Sequence, residues 1–147
     1  MEISYKEVKY DDLSTQENQC VIASQRATAK SYSPYSNFKV GAAALMSDGN
    51  IFVGANQENS SFTAGICAER ALIYNSDCIN GVIDTISISA MKDGEIVDCA
   101  PCGVCRQSLL EVEIKQKKDI KLIFRQNGNY IITENVRCLL PFAFSEF

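Results

Sequence analysis

Cys67-Ala68-Glu69 and Pro101-Cys102-Gly103-Val104-Cys105 put three thiols and one carboxylate at two points of a 147-residue chain. A C-x2-C pair with one distant Cys suits a zinc ion that keeps its fourth position open to water. On that reading Cys67, Cys102 and Cys105 are the ligands of one ion per chain. Glu69, two residues past Cys67, would stand beside the open position and carry a proton for the water without binding the metal. The chain has no histidine, so nitrogen-ligated zinc and catalysis by a Ser-His or Cys-His pair are excluded. Three thiolates leave the zinc with a net negative charge, which weakens its ability to acidify water, and Arg70 is the nearest cation able to offset this.

Cys99 supplies a rival arrangement. It extends the second motif to a C-x2-C-x2-C run, and with Cys67 it could close a four-thiol structural zinc or iron–sulfur site. Such a module would serve a partner protein and would not be an enzyme. Against it, Pro101 turns the chain between Cys99 and the two later thiols, and a closed site gives Glu69 no task. Cys20, Cys78 and Cys138 have no partner spacing and read as small core residues.

The elements that must position these groups follow from local chemistry. Ser14-Thr15-Gln16-Glu17 is a capping box and predicts a first helix from Thr15 to about Ala29. Ser33-Pro34-Tyr35-Ser36-Asn37 is turn chemistry leading into a buried strand from Phe38 to Met46. Asp48-Gly49 then returns the chain as a hairpin through Ile51 to Ala55. The small, polar stretch from Asn56 to Gly65 reads as a surface loop that delivers Cys67 to the start of a second helix. Strands are predicted from Asp84 to Ala90, from Ile120 to Phe124 and from Tyr130 to Thr133, the last two joined at Asn127-Gly128. A helix through Arg106 to Val112 follows the second Cys motif. The order implies a single domain over residues 1–147, of α/β class, with both ligand motifs at helix starts, where thiolates are stabilised.

Composition bounds the rest. At 46% hydrophobic and 22% charged residues this is a globular chain with no apolar run long enough to cross a bilayer. The N-terminal segment lacks the pattern of a secretory signal, and seven cysteines suit a reducing compartment, so a cytoplasmic location is expected. With a net charge of -4 and one short basic run, Lys115-Gln116-Lys117-Lys118, no nucleic-acid or membrane partner is expected. The basic run reads as a solvated helix end.

From Tyr32 to Phe144 the chain resembles the small homotetrameric cytidine deaminases with all-Cys zinc sites. Four segments carry the resemblance: Pro34-Tyr35-Ser36-Asn37-Phe38-Lys39-Val40-Gly41-Ala42-Ala43, Asn56-Gln57-Glu58-Asn59, Cys67-Ala68-Glu69-Arg70, and Pro101-Cys102-Gly103-Val104-Cys105-Arg106-Gln107. The resemblance implies a three-layer α/β/α fold with a five-stranded mixed sheet. It implies hydrolytic deamination of cytidine and 2′-deoxycytidine, in which zinc-activated water attacks C4 and Glu69 protonates N3 and then the departing amine. Asn56 and Glu58 correspond to the pair that binds the sugar, Phe38 to the residue that packs on the pyrimidine, and the backbone of Ala68 to the group that reads its edge. On residues alone, Asn56 and Glu58 belong to an ordinary polar loop and Phe38 to a strand edge.

The family's tail implies that Phe144 reaches the site of a neighbouring subunit, and the cluster Phe142, Phe144 and Phe147 near one end suits such an interface. The chain departs from the family at Phe62, often Tyr, and at Ala100, commonly Ser. A deaminase of a modified cytosine nucleoside of the blasticidin S type is the related alternative, against which Arg70 and the Asn-x-Glu-Asn segment stand.

Overall fold

The computed structural model describes residues 2–146, so Met1 and Phe147 lie outside the described residues. Its strands are β1 (Lys6–Val8), β2 (Lys39–Met46), β3 (Ile51–Ala55), β4 (Ile83–Lys92), β5 (Glu95–Val97), β6 (Lys121–Gln126) and β7 (Asn129–Thr133). The α-helices are α1 (Thr15–Ala27), α2 (Ala68–Ile73), α3 (Ser76–Ile79) and α4 (Gly103–Gln116). The expected α/β/α layering is present, but the sheet has seven strands, not five, in the order β1-β7-β6-β4-β2-β3, with β5 paired to the end of β4. The two extra strands are short edge pieces: β1 pairs antiparallel with β7, and β5 with β4.

Alternation along the strands divides the core. Ile86, Ile88 and Ala90 of β4, Ala42 and Ala44 of β2, and Leu122 and Phe124 of β6 pack with Leu72 and Ile73 of α2 and Leu109 and Leu110 of α4. The other face takes α1. Val21 lies with Ile123 and Ile132, and Ser24 Oγ hydrogen-bonds Ser87 Oγ at 3.0 Å and Ser89 Oγ at 2.7 Å. Each of these three buried hydroxyls thereby finds a partner under the helix.

The capping box at the start of α1 is complete, Ser14 N donating to Glu17 Oε1 at 2.9 Å and Glu17 N to Ser14 Oγ at 3.2 Å. The helix ends at Ala27, earlier than expected, because residues Thr28–Lys30 tighten into a 3-10 turn. The lysine run is tied to the scaffold: Lys115 Nζ donates to the Ile79 carbonyl at 2.8 Å, and Lys118 pairs with Asp84.

Helix α2, which begins just past Cys67, rests directly on β3. A Cβ at Gly54 would stand 2.7 Å from Leu72 N and 2.9 Å from the Ala68 carbonyl oxygen, both backbone atoms of α2. Only glycine permits this approach. The central pairing is mixed: β4 runs antiparallel to β2 and parallel to β6. A parallel pair cannot be joined by a hairpin, so the chain must cross over between β4 and β6, and the crossover contains β5, the second Cys motif and α4.

Candidate active site

Cys67 and Cys102 occupy equivalent places. Each is the residue before a helix, in extended conformation at φ -72°, ψ 156° and φ -70°, ψ 167°. Each carbonyl accepts the first helical hydrogen bond, from Ala71 N and from Arg106 N, both at 2.9 Å. Cys105 follows one turn into α4 on the same side as Cys102 and is 0% exposed. Helices α2 and α4 pack against each other, and this brings the three sulfurs within 4.8 Å of one another, with Cys67 Sγ 3.9 Å from Cys102 Sγ.

Tetrahedral zinc with Zn–S bonds of ~2.3 Å spaces its sulfurs by about 3.8 Å, so the three thiols fit one such ion. Among the described residues no other set of three His, Cys, Asp or Glu side chains is gathered this closely. Cys99 lies outside the set. It borders the same cavity and packs against the core, and burial pushes its thiol up to about 12.

The Cys67 thiol is drawn below its ordinary range. A hydrogen bond from the Cys105 thiol, and further ones from Arg70 and Cys102, pull it down to about 5 against the opposing effect of burial. Cys105, on the other side of that bond and buried, is held up. Arg70 Nη2 lies 3.6 Å from Cys67 Sγ, and this contact with the thiolate raises the guanidinium pKa. Arg70 Nε is buried without a protein partner.

Glu69 is 3% exposed. Burial, with a smaller contribution from the Cys67 charge, raises its carboxyl above the ordinary range. It borders the cavity without belonging to the three-sulfur set.

The cavity measures about 540 Å3. Phe38, Asn56, Glu58 and Ala68 line it together with Glu69 and Cys102. Phe38 is half-buried and packs against the main core, and Ala68 is fully buried.

Asn56 is held by the scaffold. Its Oδ1 accepts from Ser31 Oγ and, at 2.9 Å, from Val40 N, while its Nδ2 donates to the Phe38 carbonyl at 2.9 Å. These contacts fix the amide orientation and leave one N–H for a ligand. Glu58 grips the turn before β2: Tyr35 N and Ser36 N donate to Oε1 at 3.0 and 3.2 Å, and Ser36 Oγ donates to Oε2 at 2.6 Å. The Ser36 hydroxyl bond leads the effects that hold the Glu58 carboxyl low. Ser36 Oγ also accepts from Phe38 N at 3.0 Å.

The stretch read as a surface loop is therefore pinned from both sides. Backbone bonds from Glu58 N to the Tyr32 carbonyl at 2.8 Å and from Gln57 N to the Ile66 carbonyl at 3.0 Å hold it. Ser31 and Ser36 are site-building residues that residue types alone did not single out; the turn signal around Pro34 was the available clue. Phe144 is not part of this cavity. Its carbonyl accepts from Gln107 Nε2 at 2.8 Å, and the residue is 70% exposed. Phe62, at 85% exposed, stands at the cavity wall.

Residues 14–118 match the family model described as the cytidine and deoxycytidylate deaminase zinc-binding region. The chain is 40% identical over 120 residues to a cytidine deaminase of Halalkalibacterium halodurans, covering 82% of this chain and 87% of that one. It is 34% identical over 127 residues to a probable cytidine deaminase of Dictyostelium discoideum, covering 86% and 82%. The crystal structure of cytidine deaminase from Burkholderia pseudomallei superposes with a TM-score of 0.73 at 33% identity, covering 90% of this chain and all of that one. That from Mycobacterium tuberculosis gives 0.71 at 30% identity.

Proposed function

Because the chain belongs to the cytidine and deoxycytidylate deaminase family, we infer that it hydrolyses cytidine and 2′-deoxycytidine to uridine and 2′-deoxyuridine, releasing ammonia. The observation that carries this reading is the gathering of Cys67, Cys102 and Cys105 around one point, with the buried carboxyl of Glu69 on the wall of the same cavity. Bound by these three thiolates, zinc supplies the Lewis acidity that makes water nucleophilic near neutral pH.

The protein's own groups do the rest. Glu69 takes one proton of the attacking water and gives it to N3 of the ring. It then takes the proton left on that oxygen and carries it to the amine, so that the C4–N bond breaks and ammonia leaves as the C4 carbonyl forms. Burial of Glu69 favours the protonated form that such delivery needs. Arg70 offsets the charge of the thiolates through Cys67. Phe38 packs on the pyrimidine and the Ala68 backbone meets its polar edge. The remaining Asn56 N–H and the outward lone pairs of Glu58 bind sugar hydroxyls. Glu58 thus has two tasks, since it also holds the turn that presents Phe38.

Charge restricts the substrate to the free nucleoside. Arg70 is the one cation among the described residues lining the cavity, and it is engaged with Cys67. From the described residues of this chain that line the cavity, a 5′-phosphate would gain no free cation and would face the Glu58 carboxylate. Zinc-loaded protein is expected to convert cytidine and deoxycytidine, followed by the absorbance change to uridine, and to turn over the 5′-monophosphates at least about 100-fold less efficiently, a difference of ~2.7 kcal/mol. No conversion of either nucleoside by zinc-replete protein would refute the assignment.

We further place the protein in a homotetramer, with Phe144 completing a neighbour's site. Supporting this, Phe142 is 97% exposed at a positive φ of 53°, and the tail is held in place by Arg106 Nη1 on the Leu139 carbonyl at 3.1 Å as well as by Gln107. Burying such aromatics favours association. Sedimentation should return four times the 16.2 kDa chain mass, and a monomer would overturn the assembly. The seven free cysteines support a reducing, cytoplasmic setting. Among the described residues no helix is long and apolar enough to cross a membrane.

A further inference from the structure

We propose that Asp98 is a positioning residue for the metal centre: its carboxylate fixes the Cys102 loop to the turn between β6 and β7. The proposal rests on the zinc-site reading above and concerns how that site keeps its shape.

The segment from Asp98 to Cys102 has no regular structure of its own, yet it supplies a ligand, and its Cys99 and Ala100 form part of the cavity wall. Of the three thiols, Cys102 is the exposed one, whereas Cys67 is half-buried and Cys105 fully buried. Packing therefore holds Cys102 least, and the loop must hold it more.

The loop is pinned at both ends. At its far end Arg106 Nε donates to the Pro101 carbonyl at 2.8 Å. At its near end Asp98 collects three donors: Arg125 Nη1 at 2.8 Å and Gly128 N at 3.2 Å on Oδ1, and Asn127 N at 2.7 Å on Oδ2. Cys99 N adds a bond to the Arg125 carbonyl at 3.1 Å. Asn127 and Gly128 have φ of 52° and 80°. Two successive left-handed residues present their N–H groups to one side, a concave pair that suits an anion.

Strand β6 lies inside the sheet between β4 and β7, so Asp98 refers the ligand loop to a rigid element. As a lone surface ion pair with Arg125, Asp98 would contribute little, since both side chains are partly exposed. The geometric hold comes from one carboxylate satisfying two backbone N–H groups and the guanidinium together. Asp98 does not line the cavity, so any effect on the metal passes through the loop.

The test measures the metal directly. Zinc release to excess chelator, the thiolate-to-cobalt absorption of cobalt-loaded protein, and the Tm are compared for the wild type, Asp98→Ala, Arg125→Ala and Asp84→Ala. Asp84 is the control: it too is a partly exposed carboxylate in an ion pair, with Lys118, and it is not among the residues lining the site.

Asp98→Ala is expected to release zinc about tenfold or more faster, the scale found when groups supporting a ligand are removed, and to shift the cobalt spectrum. Arg125→Ala should do the same to a smaller extent, and Asp84→Ala should match the wild type in both readouts even where its Tm falls. Wild-type release and an unchanged spectrum in Asp98→Ala would overturn the proposal, as would equal acceleration in Asp84→Ala, which would mean general loosening. If Asp98→Ala does not fold, Asp98→Asn, which keeps one acceptor oxygen, takes its place with the same signs. A wild-type protein that takes up neither metal overturns the zinc reading itself, a result distinct from any of these.

Discussion

Glu69→Gln is expected to bind zinc as the wild type does and to lose turnover of cytidine by roughly 10³-fold or more, the range that positioned acid–base catalysis supplies. The amide preserves the shape of a side chain that is 3% exposed, so packing around it changes little. It removes the ability to accept the proton of the attacking water and to return it to N3 and to the amine. Because one carboxyl is asked to perform successive transfers, kcat should fall far more than KM rises. Metal analysis and steady-state kinetics on the same preparation decide the matter. Turnover retained by Glu69→Gln with zinc in place would remove Glu69 from the chemistry.

Cys67→Ala should eliminate both metal and activity, with zinc falling from about one per chain to near zero, since three protein ligands are the minimum for such a site. The change also takes from Arg70 the anion 3.6 Å from its Nη2 while its Nε already lacks a protein partner, so Tm should fall as well. Cys99→Ala is the paired measurement. Cys99 lies outside the three-sulfur set, and its replacement should leave about one zinc per chain. Loss of metal from Cys99→Ala would restore the closed four-thiol site that the sequence left open. Zinc retained at full stoichiometry in Cys67→Ala would mean that the ligand set is misassigned.

How far these groups could be read from the chain depended on how local their signals are. The ligand motifs, the capping box at Ser14 and the turns at Asp48-Gly49 and Asn127-Gly128 are contained in a few residues each, and the structure has all of them where expected. The five long strands were legible for the same reason, from runs of β-branched and small apolar residues. Lys6–Val8 and Glu95–Val97 were not, because strands of three residues at a sheet edge show no alternation to read; their partners β7 and β4 induce them.

Sheet order was equally hidden, since pairing β4 with β6 depends on contacts far apart in sequence. In the site, the spacing of Cys67, Cys102 and Cys105 pointed to the thiol cluster that the fold assembles. The roles of Ser31 and Ser36 did not announce themselves, because a serine hydroxyl bonded to Asn56 or to Glu58 looks in sequence like any serine in a polar turn.

The parallel pairing of β4 with β6 also gives the site a place in time. Hairpins such as β2–β3 and β6–β7 close locally and early, whereas a parallel pair must wait until its intervening crossover has been gathered in. Here that crossover carries Cys102 and Cys105, while Cys67 lies before β4. The three sulfurs can meet only when α2 packs on α4 across that long-range assembly, so metal uptake should follow the gathering of the chain rather than guide it.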